Sequence, residues 1–145
     1  MENIKYIGCF FDPETLAEKL VTMERTFLFR KIPAPHVTFV YAPVQVPEEL
    51  FGETITVTVI GYGNNGENEA LLVMFSYVPD SLKALAAAIP VPHITLSVSE
   101  NGSSVNSKDL AFRNTAPFTL TGVFGAMDME GHIYTQAPNL SETQP

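Results

Sequence analysis

The chain is poor in cysteine, in positive charge and in long apolar runs, and each shortage removes a class of protein. A single cysteine among 145 residues, Cys9, excludes an intrachain disulfide and most cysteine-based zinc sites. It lies inside the apolar stretch YIGCFF and reads as a small buried hydrophobe. Eight Lys and Arg face sixteen Asp and Glu, a formal net charge of −8. A protein that grips a long nucleic-acid backbone carries a basic stripe, whereas the only adjacent basic pair here is Arg30-Lys31. Charge therefore argues against a duplex or long-RNA binder. It leaves room for a small phosphorylated ligand, because local site charge can differ from the net value. No apolar run reaches membrane-spanning length, and MENIKYIGCFFDPE lacks a basic region followed by an apolar segment and a cleavage site. A cytoplasmic protein without secretory leader or membrane partner is expected.

What is present is ordinary for a folded domain: 46% hydrophobic and 17% charged residues, enough for one domain with a proper core. KYIGCFF reads as a strand. DPETLAEKLVTMER reads as a helix, with Asp12 as N-cap, Pro13 at the first helical position and Leu16, Leu20 and Met23 as its apolar stripe. HVTFVYA is a strand, and TITVTVIGYG and ALLVMFS flank the turn NNGENE. The second half replays this order. LLVMFS serves as a first strand, and PDSLKALAAAI is a helix with Asp80 as N-cap and Leu82, Leu85 and Ile89 on its apolar side. The strand HITLSVS, the polar loop ENGSSVNSKD and the strands FTLTGVFGAMD and GHIYTQ, with a turn at MEG, complete it. The expected fold class is α+β. It is a single domain over 1–136 built as a two-lobed internal repeat, with halves roughly 1–76 and 71–136. Each lobe is a small antiparallel sheet with a helix on one face, and the active cleft lies between lobes. A frayed tail over 137–145 is expected.

Two of the three histidines sit in the same local sentence, PAPHVTF and PVPHITL. Alternate side chains of a strand share a face. His36 and Thr38 thus face one way, with Val37, Phe39 and Tyr41 opposite. His93, Thr95 and Ser97 face one way, with Ile94, Leu96 and Val98 opposite. The apolar faces belong under the helices, so the His/Thr faces look away from the core, into a cleft or solvent, and a pseudo-twofold axis between the lobes would turn them toward each other. Pro35 and Pro92 suit the first residue of a strand, since proline cannot donate to the ladder. Two facing imidazoles suit in-line displacement at phosphorus: one takes a proton from the attacking oxygen and the other gives one to the leaving oxygen. An ordinary histidine pKa near 6.5 allows both forms at neutral pH. The hydroxyls of Thr38 and Thr95 can donate to the non-bridging phosphoryl oxygens. This chemistry needs no metal and no cofactor.

One H-x-T on a strand carries little weight, because Thr is simply a good strand residue. Two copies, each preceded by Pro-x-Pro and each in the same slot of a repeat, carry much more. His132, beside the MEG turn, reads as exposed or structural. No H-x-x-x-H or acidic cluster joins the pair to make a zinc site, no nucleophile elbow supports a serine triad, and GYGNNG joins strands and does not open a helix.

The paired H-x-T motifs on strands of a two-lobed repeat resemble the 2H phosphoesterase superfamily, over most of the chain. That resemblance implies His36 and His93 as the acid–base pair and Thr38 and Thr95 as phosphate-binding hydroxyls, without saying which histidine is base. It implies a hydrolase opening a 2′,3′-cyclic phosphate on a small nucleotide or an RNA 3′ end. Cleavage of cyclic di- or oligonucleotide signals, as by phage counter-defence enzymes, is the variant reading. A non-catalytic nucleotide-binding module is a second class, and a structural protein with incidental histidines a third. Tyr6, Phe10 and Tyr41 are aromatics that could stack on a base or belong to the core.

Overall fold

A computed structural model describes residues 3–137, and all strand pairings in it are antiparallel. The elements are β1 (Ile4–Phe10), α1 (Pro13–Thr22), β2 (His36–Tyr41), β3 (Thr54–Asn64), β4 (Asn68–Tyr77), α2 (Lys83–Ala87), β5 (His93–Val98), β6 (Arg113–Asp128) and β7 (Ile133–Tyr134). The strands form one sheet in the order β2-β1-β6-β3-β4-β5, with β7 added to β6. The long strand β6 joins it, pairing with β3 along its first part and with β1 along its last. The edge strands β2 and β5 approach each other. The loop before β2 pairs with β5 by two hydrogen bonds between Lys31 and Val98. The sheet is thereby nearly closed into a barrel. Among the described residues the fold is mixed α/β, with two short α-helices.

Alternation builds the core. Ile55, Val57 and Val59 of β3 are fully buried while Thr54 is exposed and Thr56 and Thr58 are half-buried. Val37, Leu71, Ile94, Leu96 and Phe124 join them from the other strands. Helix α1 forms as its sequence dictates. The Asp12 carboxylate accepts from the Thr15 N–H, Pro13 opens the helix, Leu16 and Leu20 are buried and Met23 packs against the core. The turn between β3 and β4 falls within NNGENE, with Gly66 at φ +87°, a conformation that glycine adopts without steric cost.

Several sequence expectations need correction. The second helix is only Lys83–Ala87, preceded by a 3₁₀ turn over Asp80–Leu82. Asp80 does not cap it: its carboxylate pairs with Lys83 Nζ at 2.7 Å. Leu82 is buried, and Leu85 and Ile89 are packed against the core as expected. The loop ENGSSVNSKD contains a 3₁₀ turn over Ser104–Asp109. β6 begins at Arg113, before FTLTGVFGAMD, and GHIYTQ contributes only Ile133–Tyr134. The tail assigned to 137–145 lies outside the described residues beyond Ala137.

Two bulges change which side chains share a face. Thr38 pairs with Gly8 and Val40 with Ile7, so Phe39 is an extra residue in β2. Both Phe39 and Val40 then turn to the core, and Tyr41 emerges on the side of His36, 48% exposed. In β5, Thr95 pairs with Ala70 and Ser97 with Glu69, leaving Leu96 extra. Ser97 turns inward, where its hydroxyl donates to the buried Glu69 carboxylate at 2.8 Å. Tyr41 is therefore not opposite His36, and Ser97 does not share the His93 face. An extra residue shifts the pleat by one, which swaps faces for every residue beyond it.

Candidate functional site

Each histidine is the first residue of its strand, and the proline before it ties the strand start to the sheet. Phe11 N–H donates to the Pro35 carbonyl and Val73 N–H to the Pro92 carbonyl. The imidazoles are held alike. His36 Nδ1 lies 2.8 Å from the Ala34 carbonyl oxygen, and His93 Nδ1 lies 2.8 Å from that of Val91. A carbonyl oxygen only accepts, so each Nδ1 carries the proton and each neutral ring keeps its lone pair on Nε2. The Pro-x-Pro-His sequence thus has a physical meaning. The carbonyl of x fixes the tautomer, and the following proline holds the chain extended so that this carbonyl reaches the ring.

The two sites differ in what meets Nε2. Thr38 Oγ1 lies 2.9 Å from His36 Nε2 and donates to it. His93 Nε2 has no hydrogen-bond partner among the described residues. His36 is the deeper of the two, 9% exposed, stacked against Tyr6 and tilted against Phe10. Burial pushes its pKa down to about 4, opposed by the Ala34 carbonyl and assisted by the charges of His93 and Lys5. Burial also lowers His93, against the Val91 carbonyl and with help from Lys108. The edge strands that carry the two imidazoles, β2 and β5, lie against each other, and the charge of His93 is a lesser contributor to the lowering of His36.

The threonines part company. Thr38 touches its histidine. Thr95 is buried and donates to Ser107 Oγ at 2.9 Å, and Ser107 also accepts from Asn68 Nδ2 at 3.0 Å. Tyr6 and Phe10 are buried walls of His36, unable to stack on a ligand, whereas Tyr41 meets Tyr6 edge-on from the exposed side. Sequence reasoning missed Ser107, Lys5 and Lys108. Ser107 lies in a polar loop without periodicity, and the lysines come from distant segments, so only tertiary structure assembles them. His132 is in the β6–β7 turn, exposed, with Nδ1 at 3.1 Å from Asp128 Oδ2. Among the described residues, His, Cys, Asp and Glu nowhere gather in a group of three suited to a metal ion, and no helix is long and apolar enough to cross a membrane.

Glu69 anchors the loop leading into β2. Its carboxylate accepts from Leu28 N–H at 3.1 Å, Ser97 Oγ at 2.8 Å and Tyr62 Oη at 2.5 Å, and Ser97 Oγ in turn accepts from Phe29 N–H at 3.1 Å. A buried carboxylate is tolerable when such donors surround it. No protein-family model matches the chain, and no curated protein matches it in sequence.

Proposed function

We propose that this protein is a phosphodiesterase of the 2H kind, opening a 2′,3′-cyclic phosphate on a small nucleotide or an RNA 3′ end with its two histidines alone as proton carriers. The observation that carries this reading is the repeated Pro-x-Pro-His-x-Thr with the same Nδ1-to-carbonyl bond in both copies. Strand order supports the two-lobed repeat. Exchanging the run β1-α1-β2-β3 for β4-α2-β5-β6 maps the order β2-β1-β6-β3-β4-β5 onto itself, with the central strands β3 and β6 traded between halves.

In this mechanism His36 is the base. Its depressed pKa keeps it neutral near pH 7, and Nε2 takes a proton from water as the water oxygen bonds to phosphorus. The P–O bond to one ribose oxygen breaks, and His93 Nε2–H returns a proton to that oxygen. Water and the cyclic diester become a phosphomonoester with a free hydroxyl. His93 suits the acid role because its Nε2 is free of protein partners and the phosphate's negative charge favours its protonated form. Thr38, released from Nε2, donates to a non-bridging oxygen.

A second reading, a module that holds a nucleotide without turning it over, is favoured by one observation. Both threonine hydroxyls are engaged by protein partners. One experiment separates the two. The protein is incubated with EDTA against 2′,3′-cyclic mononucleotides, an RNA with a cyclic-phosphate end, and cyclic di- and trinucleotides, with the His36→Ala/His93→Ala variant as blank. Turnover that vanishes in the variant supports the hydrolase. Saturable binding without turnover supports the binding module.

A further inference from the structure

Beyond the histidines lies a cavity of about 580 Å³ lined by Lys5, Lys31, Tyr41, Val98, Gly102 and Ser103, among others. Its volume is that of a small-molecule site. The bulges place the exposed Tyr41 and the buried Val98 on its wall, and Glu69 and the Lys31–Val98 pairing fix the loop that carries Lys31. One ring separates it from His36: Tyr41 meets Tyr6 edge-on at 5.9 Å, and Tyr6 stacks on His36.

The charge here runs against the rest of the molecule. The chain has eight Lys and Arg against sixteen acidic residues. Yet Lys5 and Lys31 line this cavity with no acidic residue in its wall, while Lys108 acts on His93. Among the described residues none of these three lysines makes an ion pair. A larger hollow of about 830 Å³, against Val40 and Leu85, has Glu48 and Glu49 as its charged lining and would repel phosphate. Unpaired cations beside an exposed aromatic ring form the combination that holds a nucleotide: the ring takes a base and the lysines take phosphate oxygens. One phosphate at the histidines does not require this second set.

We propose that this cavity binds a second phosphate of the ligand, one nucleoside away from the phosphate at His36 and His93, with Lys5 and Lys31 as its cations and Tyr41 as the stacking surface. The inference rests on the nucleotide reading of the histidine pair and narrows its ligand to nucleotides with at least two phosphates. The second phosphate is either another diester of a cyclic oligonucleotide or a terminal 5′-phosphate.

The test is a titration calorimetry comparison of adenosine 2′-monophosphate with adenosine 2′,5′-bisphosphate, on wild-type protein and on the Lys5→Gln/Lys31→Gln variant. Both side chains are exposed, and thermal unfolding verifies that the variant is folded. Wild type should bind the bisphosphate about tenfold tighter, the scale of two exposed charge pairs. The variant should lose that ratio, Lys5→Arg/Lys31→Arg should retain it, and Lys83→Gln, on α2, should leave it unchanged. Added salt should shrink it. Equal affinities in wild type, or a ratio that survives in the glutamine variant, would overturn the proposal. A parallel turnover series uses a 2′,3′-cyclic mononucleotide, its 5′-phosphorylated form, and cyclic di- and trinucleotides, and it tells the two sources of phosphate apart. Turnover without any preference sinks the second-phosphate site and keeps the hydrolase. A binding preference without turnover sinks the hydrolase and keeps the site.

Discussion

The imidazole of His36 lies flat against the phenol of Tyr6, ring centres 4.3 Å apart and planes 18° from parallel, with Tyr6 Oη 3.2 Å from Nδ1. The Tyr6 ring, with Phe10, covers His36, and burial is the largest cause of its lowered pKa. Tyr6→Phe should therefore keep both the stack and the low pKa, with a stability change within about 1.5 kcal/mol, the net worth of one hydrogen bond. Tyr6→Ala should cost about 3–5 kcal/mol as a large aromatic truncation. It should also move the His36 pKa up toward 6.5, because water reaches the ring. Histidine titration by NMR on both variants checks this, and a His36 pKa that stays near 4 in Tyr6→Ala would show that burial by Tyr6 is not its cause.

Catalysis should fall with either histidine. His36→Ala and His93→Ala should each lower kcat by about 10²- to 10⁴-fold, the usual range for a general acid or base. Thr38→Ala should lower it by about 10²- to 10³-fold as for one donor to a developing oxyanion. Thr95→Val should instead act on stability, costing about 1–3 kcal/mol by breaking a buried hydrogen bond to Ser107. A large kcat loss with unchanged stability in Thr95→Val would mean that its hydroxyl leaves Ser107 for the substrate.

The pH–rate profile follows from the two shifts. With His36 as base, kcat/KM should rise as pH climbs past about 4, where His36 loses its proton. With His93 as acid and its pKa also lowered, the rate should fall again from below 6.5. The pair titrates with two apparent values that belong to both rings. The expected profile is a bell with its optimum on the acid side of 6.5. A flat profile, or an optimum above pH 7, would reverse or remove the assignment.

Stability should depend on pH through the same group. His36 is buried in its neutral form, so the unfolded chain binds more protons than the folded one between pH 6.5 and about 4. Unfolding free energy should therefore drop as pH falls through that window and level off for this group below it. The contribution is about 3 kcal/mol at most. Denaturant titrations of wild type and His36→Asn across pH 4–7 isolate it as the part of the slope that the variant lacks.

Gly8 faces Thr38 across the bulge, and a Cβ on Gly8 would run into the Val37 carbonyl in the backbone of β2. Gly8→Ala should push β2 away from β1 and cost about 1–3 kcal/mol or more, as overpacking does. It should also displace His36 and lower activity. A fully active and stable Gly8→Ala protein would show that β2 tolerates the shift.

Much of this arrangement was legible in the residues themselves. Asp12, Pro13, Leu16 and Leu20 specify α1 through capping and spacing confined to one turn or two. The alternation in TITVTV specifies which face of β3 is core. The pairing of His36 with Thr38, and the extended start of both histidine strands, follow from a period of two and from proline geometry. Local sequence was a poorer guide where a local preference met a competitor, as at Asp80, whose carboxylate found Lys83 instead of the helix terminus. The tertiary structure alone decided the two bulges, and with them the positions of Tyr41, Ser97 and Val98. A bulge is a mismatch between two strands and is written in neither one. It alone decided that Thr95 rests on Ser107 and that Lys5 and Lys31 share one cavity wall. Side chains distant in sequence meet only when the sheet closes, and no spacing within one segment encodes that meeting.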